Sequence, residues 1–262
     1  MIPEVAILHW RHVAPWPQDV LVEQDLILSR ALVELFQREE LAGAFALRGG
    51  TALHKLYFSP SPRYSEDIDL VQSKPGPIGP ILDAARACLD PFLGEPRREH
   101  NPGNITLRYR MASEIPPVIP MRLKIEINTR EHFSVFGRIV RPFAVSSPWF
   151  KGKADVATFS LEELLATKLR ALYQRRKGRD LFDLHLGLGE KGVDPRRIVE
   201  AFRKYLEAEG NRITRKQFER NLREKMLLRA FHEDLRPLLA TVAGYDAEEA
   251  ARRVTQELLA LL

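Results

Sequence analysis

The chain has 262 residues, which is enough for one large domain or two small ones with a substantial core. Hydrophobic residues make up 45% of it and charged residues 29%, as in a soluble globular protein, which excludes disordered, collagen-like and coiled-coil classes. No apolar run approaches the roughly 20 residues of a membrane helix, and the first residues lack the basic and apolar segments of a secretory signal. The one cysteine, Cys88, excludes an internal disulfide, and no Cys/His spacing indicates structural zinc. We therefore expect a protein of the reducing cytoplasm with no membrane contact.

The net charge of +5 is unevenly distributed along the chain. The first 150 residues carry as many acidic as basic side chains, so the whole positive excess lies in the C-terminal part. A stretch without any acidic residue contains six cations: Lys168, Arg170, Arg175, Arg176, Lys177 and Arg179. Such a cluster suits a polyanion such as nucleic acid, because neutralised phosphates release counterions. The structural alternative is a solvated helix face with salt-bridge partners.

The first predicted elements are a helix, a strand and a second helix. Apolar residues recur at close to 3.6-residue spacing over Asp19–Leu41, which predicts an amphipathic helix. The apolar run Ala44–Leu47 predicts a strand that stops at Gly49 and Gly50. Thr51 then has the position of a helix N-cap.

The middle of the chain mixes strands and helices. Asp67–Val71 and Lys124–Asn128 alternate apolar and polar residues, which predicts two strands that each have one apolar and one polar face. Between them, the pattern predicts a helix over Ile81–Leu93 and a strand over Ile105–Met111.

From Ser160 onward the pattern is helical. Ser160 and Glu163 form a predicted capping box ahead of an apolar helix. Further helices are predicted over Pro195–Leu206, Lys216–Glu233 and Glu248–Leu262. The change in pattern predicts a mixed α/β domain over residues 1–157 and a helical, basic domain over residues 158–262.

Three carboxylates are candidates for a metal site. Alternation places Asp67 and Asp69 on the same face of one strand, and Glu126 has the equivalent polar position on another. Two carboxylates this close stay ionised most easily with a divalent cation between them. If the two strands are neighbours, the three side chains converge and suffice for one or two Mg²⁺ ions. Surface carboxylates on half-exposed strands are the alternative interpretation.

The two glycines after the first strand are candidates for a phosphate-binding turn. Glycine lets the backbone approach a phosphate, and the following helix offers free N–H groups and the positive end of its dipole. Thr51 adds a hydroxyl, and Lys55 lies on the same helix face four residues later. An ordinary tight turn is the alternative, and the spacing of a Walker A loop is absent from the sequence.

A third group of polar side chains lies in the helical part. Lys168 projects from the capped helix, and Asp180 and Asp183 share a face of the next predicted helix. A lysine can bind a nucleotide phosphate, and an ionised aspartate can orient that lysine or act as a base. A helix with internal ion pairs is the alternative.

Taken in order, these elements resemble the AbiEii/AbiGii-type nucleotidyltransferase toxins, a family that includes the MenT toxins. The resemblance covers roughly residues 20–185 and depends on four stretches: Leu47–Leu53, Arg63–Leu70, Lys124–Ile127, and Lys168 with Arg179–Leu184. It implies an α+β fold, in which a polymerase-β-like nucleotidyltransferase domain with a mixed sheet precedes a helical C-terminal domain.

The resemblance also implies a function. The expected reaction moves a nucleoside monophosphate from an NTP to RNA and releases pyrophosphate. The expected cofactor is Mg²⁺, with a two-ion site possible, and the expected acceptor is the 3′ end of tRNA, whose modification would block translation. The expected partner is a cognate antitoxin protein.

The resemblance assigns a role to each matching residue. Asp67 and Asp69 would hold Mg²⁺, and Glu126 would complete the metal site or activate the acceptor hydroxyl. Lys168 would contact phosphate, and either Asp180 or Asp183 would be its catalytic partner. The nucleotide-binding set is Arg48, Gly49, Gly50, Thr51, Ser65 and Lys168. The basic cluster supplies the expected RNA-binding set: Arg175, Arg176, Lys177 and Arg179.

Two other classes of function remain open. The same chemistry can serve a small-molecule or protein acceptor, because small antibiotic-modifying enzymes share the fold. A nucleic-acid-binding or antitoxin-binding module without activity fits the charge asymmetry equally well. The Asp67–Asp69 motif also resembles the metal motif of nucleotide-sugar glycosyltransferases, but the upstream Gly49–Thr51 element argues against that class.

Overall fold

The structure is a computed structural model that describes residues 2–240 and 244–262. The chain divides into two units. Unit 1 comprises Met1–Ser134 and Arg138–Phe159, and unit 2 comprises Val135–Gly137 and Ser160–Leu262. The backbone therefore passes from one unit to the other three times.

Unit 1 contains both helices and strands. Its helices are α1 (Glu4–Trp10), α2 (Asp19–Phe36), α3 (Glu39–Ala44), α4 (Gly49–Leu56) and α5 (Gly79–Leu93). Its strands are β1 (Phe45–Arg48), β2 (Asp67–Gln72), β3 (Arg97–Asn101), β4 (Asn104–Ala112), β5 (Pro120–Asn128), β6 (Arg138–Ser146) and β7 (Lys151–Phe159).

The main sheet of unit 1 has five strands in the order β1-β2-β5-β4-β3. Strands β2 and β5 are parallel, whereas the other neighbouring pairs are antiparallel. Strands β6 and β7 form a separate antiparallel pair. The prediction of an α+β fold with a mixed sheet is confirmed.

The two faces of the main sheet differ in polarity because its strands alternate polar and apolar residues. Ile68 and Leu70 of β2 are buried, as are Leu123, Ile125 and Ile127 of β5. Helices α2 and α5 contact this sheet and contribute buried side chains to the core of unit 1. The polar residues between the apolar ones lie on the opposite face.

Asp25 of α2 is the centre of a buried hydrogen-bond network in unit 1. Its carboxylate is fully buried and accepts hydrogen bonds from the indole nitrogens of Trp10 (2.8 Å) and Trp16 (3.1 Å). The Lys55 ammonium of α4 lies 2.6 Å from the same carboxylate. A buried charge is tolerated only with such partners. Through them the network connects α4, the helix that follows strand β1, to α2 and the N-terminal segment.

The predicted helix over Asp19–Leu41 is too long. Helix α2 ends at Phe36, and α3 begins at Glu39, because Arg38 between them is extended with φ −85° and ψ 116°. Leu41 is buried nevertheless, so this apolar residue reaches the core from a separate short helix.

Three strands lie outside the predicted elements, namely β3, β6 and β7. Strand β3 consists of polar residues only and therefore lacks the alternation that marks a half-buried strand. Strand β6 exposes Ile139 (37%) and Val140 (60%), so its apolar residues do not follow one buried face. The predicted strands over Ala44–Leu47 and Ile105–Met111 correspond to β1 and β4.

All regular secondary structure among the described residues of unit 2 is helical. Its helices are α6 (Leu161–Gln174), α7 (Gly178–Gly189), α8 (Pro195–Ala208), α9 (Arg215–Met226), α10 (Arg229–Glu233) and α11 (Ala247–Glu257), with 3-10 turns at Arg236–Leu238 and Leu259–Leu261. Within residues 2–240 and 244–262, no helix of either unit is both long and apolar enough to cross a membrane.

Glu163 joins residues 135–137 to unit 2. The Ser160 half of the predicted capping box is confirmed, since its hydroxyl accepts a hydrogen bond from the Glu163 N–H at 3.3 Å. The Glu163 side chain binds other groups instead of completing the box. The Glu163 carboxylate is fully buried and accepts from the N–H groups of Val135 (2.8 Å) and Phe136 (3.1 Å) and from the Tyr205 hydroxyl (2.8 Å).

Two predicted helices of unit 2 are interrupted in the structure. Lys216–Glu233 forms α9 and α10, which are separated where Leu228 is extended with φ −91° and ψ 119°. Glu248–Leu262 is helical only to Glu257 and then continues as a 3-10 turn.

Removing the charge of Asp25 should destabilise unit 1 severely. Asp25→Asn leaves the Lys55 ammonium buried without a counter-charge, a change that typically costs about 3 kcal/mol or more in the free energy of unfolding. Urea denaturation followed by tryptophan fluorescence measures this cost in unit 1, because Trp10, Trp16 and Trp149 all lie there.

A second ion pair of unit 1 provides the control for Asp25→Asn. Asp19 pairs with Arg11, and more than a third of each side chain is exposed. Asp19→Asn should therefore cost at most about 1 kcal/mol. Lys55→Met in the Asp25→Asn background should restore part of the lost stability. Equal costs for the two asparagine variants would contradict a central role for the Asp25 network.

Candidate active site

The three predicted carboxylates lie on two neighbouring parallel strands of unit 1. The register pairs Asp69 of β2 with Glu126 of β5, and Asp67 with Lys124. All four side chains therefore occupy the polar face of the sheet, where they are partly exposed. The two strands are neighbours, so the predicted convergence of the three carboxylates has the strand pairing that it depends on.

Lys124 links two of these carboxylates. Its ammonium lies 2.9 Å from a carboxylate oxygen of Asp67 and 2.9 Å from one of Glu126. Burial raises the pKa of Asp67 to about 6, although the hydrogen bond from Lys124 opposes this shift. Burial alone would lower the pKa of Lys124, but its hydrogen bonds to Asp67 and Glu126 raise it above the usual value. The lysine thus remains charged and offsets repulsion among the acids.

Gly49 brings the turn before α4 against Asp69. Gly49 has φ +76°, and a Cβ built on it would collide with the carboxylate of Asp69. A Cβ on Gly50 would lie 2.8 Å from Nη2 of Arg63 and 2.8 Å from Oγ of Ser65. Gly49 is therefore required by both its positive φ and close packing, whereas a Cβ at Gly50 would displace the ends of two side chains. The start of α4 directly adjoins one of the candidate metal ligands.

Thr51 has a different place in the helix from the one predicted. The helix begins at Gly49 with Arg48 as its N-cap, so the prediction of Thr51 as N-cap is wrong. Thr51 lies in the first turn and is fully buried. Its hydroxyl donates to the backbone oxygen of Asp67 and lies 3.0 Å from Oγ of Ser65, which fixes α4 against the start of β2.

Other side chains near the turn have partners within unit 1. The guanidinium of Arg48 is ion-paired with Glu131. Lys55, which the sequence places on the Thr51 face, points its ammonium to Asp25. Arg63 is almost fully buried and donates to the Tyr64 backbone oxygen at 2.8 Å. These contacts give the turn a rigid support.

The carboxylate pair Asp67 and Asp69 fits a magnesium ion in part. Among the described residues, no group of three or more His, Cys, Asp or Glu side chains is arranged to hold a metal ion. Mg²⁺, however, is usually bound through one or two carboxylates together with substrate phosphates and waters. Two ionisable carboxylates beside a glycine turn at a helix N-terminus provide that kind of donor set, with the phosphates left to the substrate.

Lys168 lies in unit 2, where its ammonium is buried between two aspartates. It is 3.3 Å from Asp180 and 2.9 Å from Asp183, and both carboxylates are fully buried. Asp180 also binds the guanidinium of Arg175 through two hydrogen bonds of 2.7 and 2.8 Å. The sequence left open which aspartate partners Lys168, and in unit 2 both do.

The predicted RNA-binding cations of unit 2 are largely ion-paired. Arg175 binds Asp180, and both Lys177 (3.0 Å) and Arg179 (2.9 Å) bind Asp234. Burial opposes ionisation of Asp234, but these two cations outweigh it and lower the pKa of Asp234 to about 2. Arg176 is exposed. Their assignment to RNA binding stays a prediction.

Lys124 and Arg63 are the parts of the site in unit 1 that sequence reasoning missed. Both lie within stretches that carry the family resemblance, but neither was assigned a role. Lys124 is two residues from Glu126 on an alternating strand, so its position on the carboxylate face could have been inferred from the period of 2. The packing of Arg63 under Gly50 leaves no such signal in the sequence.

Comparison with protein families decides the identity of this arrangement. The model of the nucleotidyl transferase AbiEii toxin, from type IV toxin–antitoxin systems, matches residues 30–253. The chain belongs to the AbiEii family. An AbiEii toxin is a nucleotidyltransferase whose toxin–antitoxin system implies an antitoxin partner. No curated protein matches the sequence.

Two solved structures resemble this AbiEii chain along nearly its whole length. MenT4, a nucleotidyltransferase toxin from Mycobacterium tuberculosis H37Rv, has 16% sequence identity and a TM-score of 0.57, over 97% of this chain and 98% of that one. A protein from H. pylori assigned as a nucleotidyltransferase has 19% identity and a TM-score of 0.55, over 92% and 93%. At these identities the similarity shows the fold, and the predicted nucleotidyltransferase fold is confirmed.

Adding a side chain at Gly49 should disturb the turn and displace Asp69. Gly49→Ala forces an L-residue into the left-handed region, which costs about 1–2 kcal/mol before the collision with Asp69 is counted. The control is Gly43→Ala in α3, where a Cβ would meet nothing within 4 Å and stability should stay the same or rise slightly. Urea denaturation followed by tryptophan fluorescence compares the two, and equal effects would rule out the close packing at Gly49.

Asp234 should stabilise unit 2 in a pH-dependent way. Its pKa is lowered from 3.8 to about 2, so Asp234→Asn should cost about 2 kcal/mol at neutral pH. Because the shift is downward, the stabilisation is complete above about pH 4 and is lost as the pH falls through about 2. Urea denaturation followed by circular dichroism should give the same difference between wild type and variant at pH 7 and 5, and a smaller one at pH 3. A difference that shrinks between pH 7 and 5 would contradict this assignment.

Proposed function

We propose that this AbiEii protein transfers a nucleoside monophosphate from an NTP to the 3′ end of an RNA, and that the natural acceptor is tRNA. The observation that carries the proposal is the contact between Gly49 and Asp69. It brings a backbone turn suited to phosphates against a pair of carboxylates suited to Mg²⁺. Membership of a nucleotidyltransferase toxin family supports the reaction class.

In this proposal the nucleotide lies on the side of the carboxylates that faces strand β1. The backbone N–H groups at the start of α4 bind the triphosphate, since the N-terminus of a helix favours anions. Gly49 and Gly50 let phosphate approach the backbone, and the buried hydroxyl of Thr51 keeps the turn in place through the Asp67 oxygen. Mg²⁺ bound by Asp67 and Asp69 would polarise the phosphoryl oxygens and stabilise the charge that develops on them.

The proposed reaction is an in-line displacement at the α-phosphorus. The 3′ hydroxyl oxygen of the RNA forms a bond to the α-phosphorus, and the bond from this phosphorus to the bridging oxygen of the β-phosphate breaks. Pyrophosphate leaves with the electron pair of that bond. Glu126 lies beside Asp69 on the same face and accepts the proton of the attacking hydroxyl. Lys124 positions Glu126 and Asp67 through its two ion pairs.

The roles proposed for Lys168, Asp180 and Asp183 of unit 2 rest on the family resemblance. Lys168 would contact phosphate with Asp183 and Asp180 as its partners, as the family resemblance implies. Its buried ion pairs are equally what a structural cluster requires, because a buried charge must be compensated. The toxic effect would follow from tRNAs whose modified 3′ ends block translation, and the cognate antitoxin would prevent it.

Asp67→Asn should abolish nucleotide transfer. Removing one of two metal-binding carboxylates should cost about 3 kcal/mol or more of transition-state stabilisation, which is at least a hundredfold in rate. The assay incubates the protein with Mg²⁺, total RNA and each α-labelled NTP in turn. RNA whose 3′ end has been oxidised with periodate serves as the matched negative control, and we expect it to take up no label.

Asp83→Asn is the control variant, because Asp83 is an exposed aspartate of α5 and should have no role in transfer. Label in RNA that is absent with Asp67→Asn and retained with Asp83→Asn supports the proposal. Label in protein or in a small molecule instead would establish the same chemistry with another acceptor. No label in any fraction, from folded protein, would favour a binding module without activity.

A further inference from the structure

Arginine and lysine side chains lie directly opposite each other on the polar face of the main sheet. The antiparallel register of β4 and β5 pairs Arg110 with Arg122 and Arg108 with Lys124. The register of β3 and β4 adds Arg97 opposite Arg108. Like charges in directly opposite positions destabilise a sheet, so an anion bound to such a pair is stabilising.

The Arg110–Arg122 pair differs from the neighbouring row in its ion pairs. Glu99 compensates the neighbouring row, since its carboxylate lies 3.0 Å from Arg108 and 3.6 Å from Arg97. Arg110 and Arg122 are both exposed, and no acidic side chain in residues 2–240 or 244–262 forms an ion pair with either of them. Arg110 acts on Glu99 only at longer range, as a minor contribution to its lowered pKa. The pair therefore presents two adjacent positive charges to solvent on neighbouring strands.

The pair lies on the side of the carboxylates away from the glycine turn. Gly49 contacts Asp69 from the side of β1, at one edge of the sheet. Arg122 precedes Lys124 by two residues and Glu126 by four on β5, so it lies about 13 Å from Glu126 along the strand. This distance places the arginines apart from a triphosphate bound at the turn but within reach of a polymer whose end lies at the carboxylates.

We propose that Arg110 and Arg122 bind the phosphodiester backbone of the acceptor RNA, upstream of the 3′ hydroxyl that undergoes transfer. The inference rests on the proposed function in that it takes RNA as the acceptor. A polyanion with regularly spaced charges fits two adjacent rows of cations better than an acidic protein does. The next row on the same face toward Glu126, Arg108 opposite Lys124, extends the line of cations, and cations that neutralise phosphodiesters release counterions.

Binding of a single-stranded RNA to wild type and to Arg110→Gln/Arg122→Gln tests the inference. The probe is a 20-nucleotide RNA of mixed sequence with fluorescein at its 5′ end, and fluorescence anisotropy is measured from 0.05 to 0.5 M salt. Losing two phosphate contacts should reduce the slope of log K against log salt by about 1.4 and weaken binding about 20-fold at 0.1 M salt. In the transfer assay, KM for RNA should rise with little change in kcat.

The matched control removes two other exposed cations. Lys74→Gln/Arg98→Gln has the same net charge, and Arg98 opposes the buried Leu107, so it lies on the other face of the sheet. This control should bind RNA as wild type does. The melting temperature of Arg110→Gln/Arg122→Gln should equal or exceed that of wild type, because the variant relieves repulsion between like charges.

Failure of the inference is distinguishable from failure of the proposed function. Asp67→Asn should bind the RNA at least as tightly as wild type while transferring no nucleotide. If Arg110→Gln/Arg122→Gln binds RNA like wild type with an unchanged salt slope, the inference is overturned whatever the transfer assay shows. Equal losses in the two double variants would indicate a general effect of charge, and stronger competition by poly-glutamate than by unlabelled RNA at equal charge concentration would indicate an acidic protein partner. Either result overturns the inference.

Discussion

Parallel pairing of β2 with β5 in one register is the constraint on which the candidate site depends. Because side chains alternate between the faces of a strand, a slip by one residue would move Asp67 and Asp69 into the apolar core. The burial of Ile68 and Leu70 on the other face makes that slip costly and so fixes the register. The same packing that stabilises unit 1 thus determines where its acids lie. Function and core are specified together by one alternating pattern.

The polar face concentrates charges of both signs that the fold must keep compensated. Lys124 lies between two acids, and Glu99 lies between two arginines. Unit 2 shows the same principle in its interior, where Lys168 is enclosed by two aspartates. Only the buried Lys168 cluster would be strongly destabilising without its partners, because the groups on the polar face are partly exposed to solvent. The Arg110–Arg122 pair differs from all of them, because no acidic side chain of the described residues forms an ion pair with it. This difference is the basis for proposing an external anion there.

Much of the site could be predicted from the sequence because its signals are local. The alternation around Asp67 and Asp69, and around Glu126, fixed their common face, and two adjacent glycines marked the turn. The order of these motifs gave the family and the fold. The helix interruptions at Arg38 and Leu228 were not predicted, because the apolar spacing continues through both residues. At each of them the backbone becomes extended for one residue.

The rest could not be predicted because it depends on which strands become neighbours. Strand β3 has no apolar residue to give it a period, so its pairing with β4 is invisible in the sequence. The cluster of cations after Lys168 predicted RNA binding from its charge, yet three of its members are bound to buried acids. Arg110 and Arg122 are twelve positions apart in the chain and become a pair only through the register of a sheet.

The hydrogen bonds of Glu163 have a consequence for dissecting the chain. Residues 135–137 leave unit 1, supply two N–H donors to this buried carboxylate, and return before the β6–β7 pair. Neither unit is therefore a continuous stretch of polypeptide. A fragment that starts at Ser160 would contain every helix of unit 2 and still lack two of the donors that satisfy its buried acid. Separate expression of the helical unit requires these three residues to be grafted back, since no single cut yields both units intact.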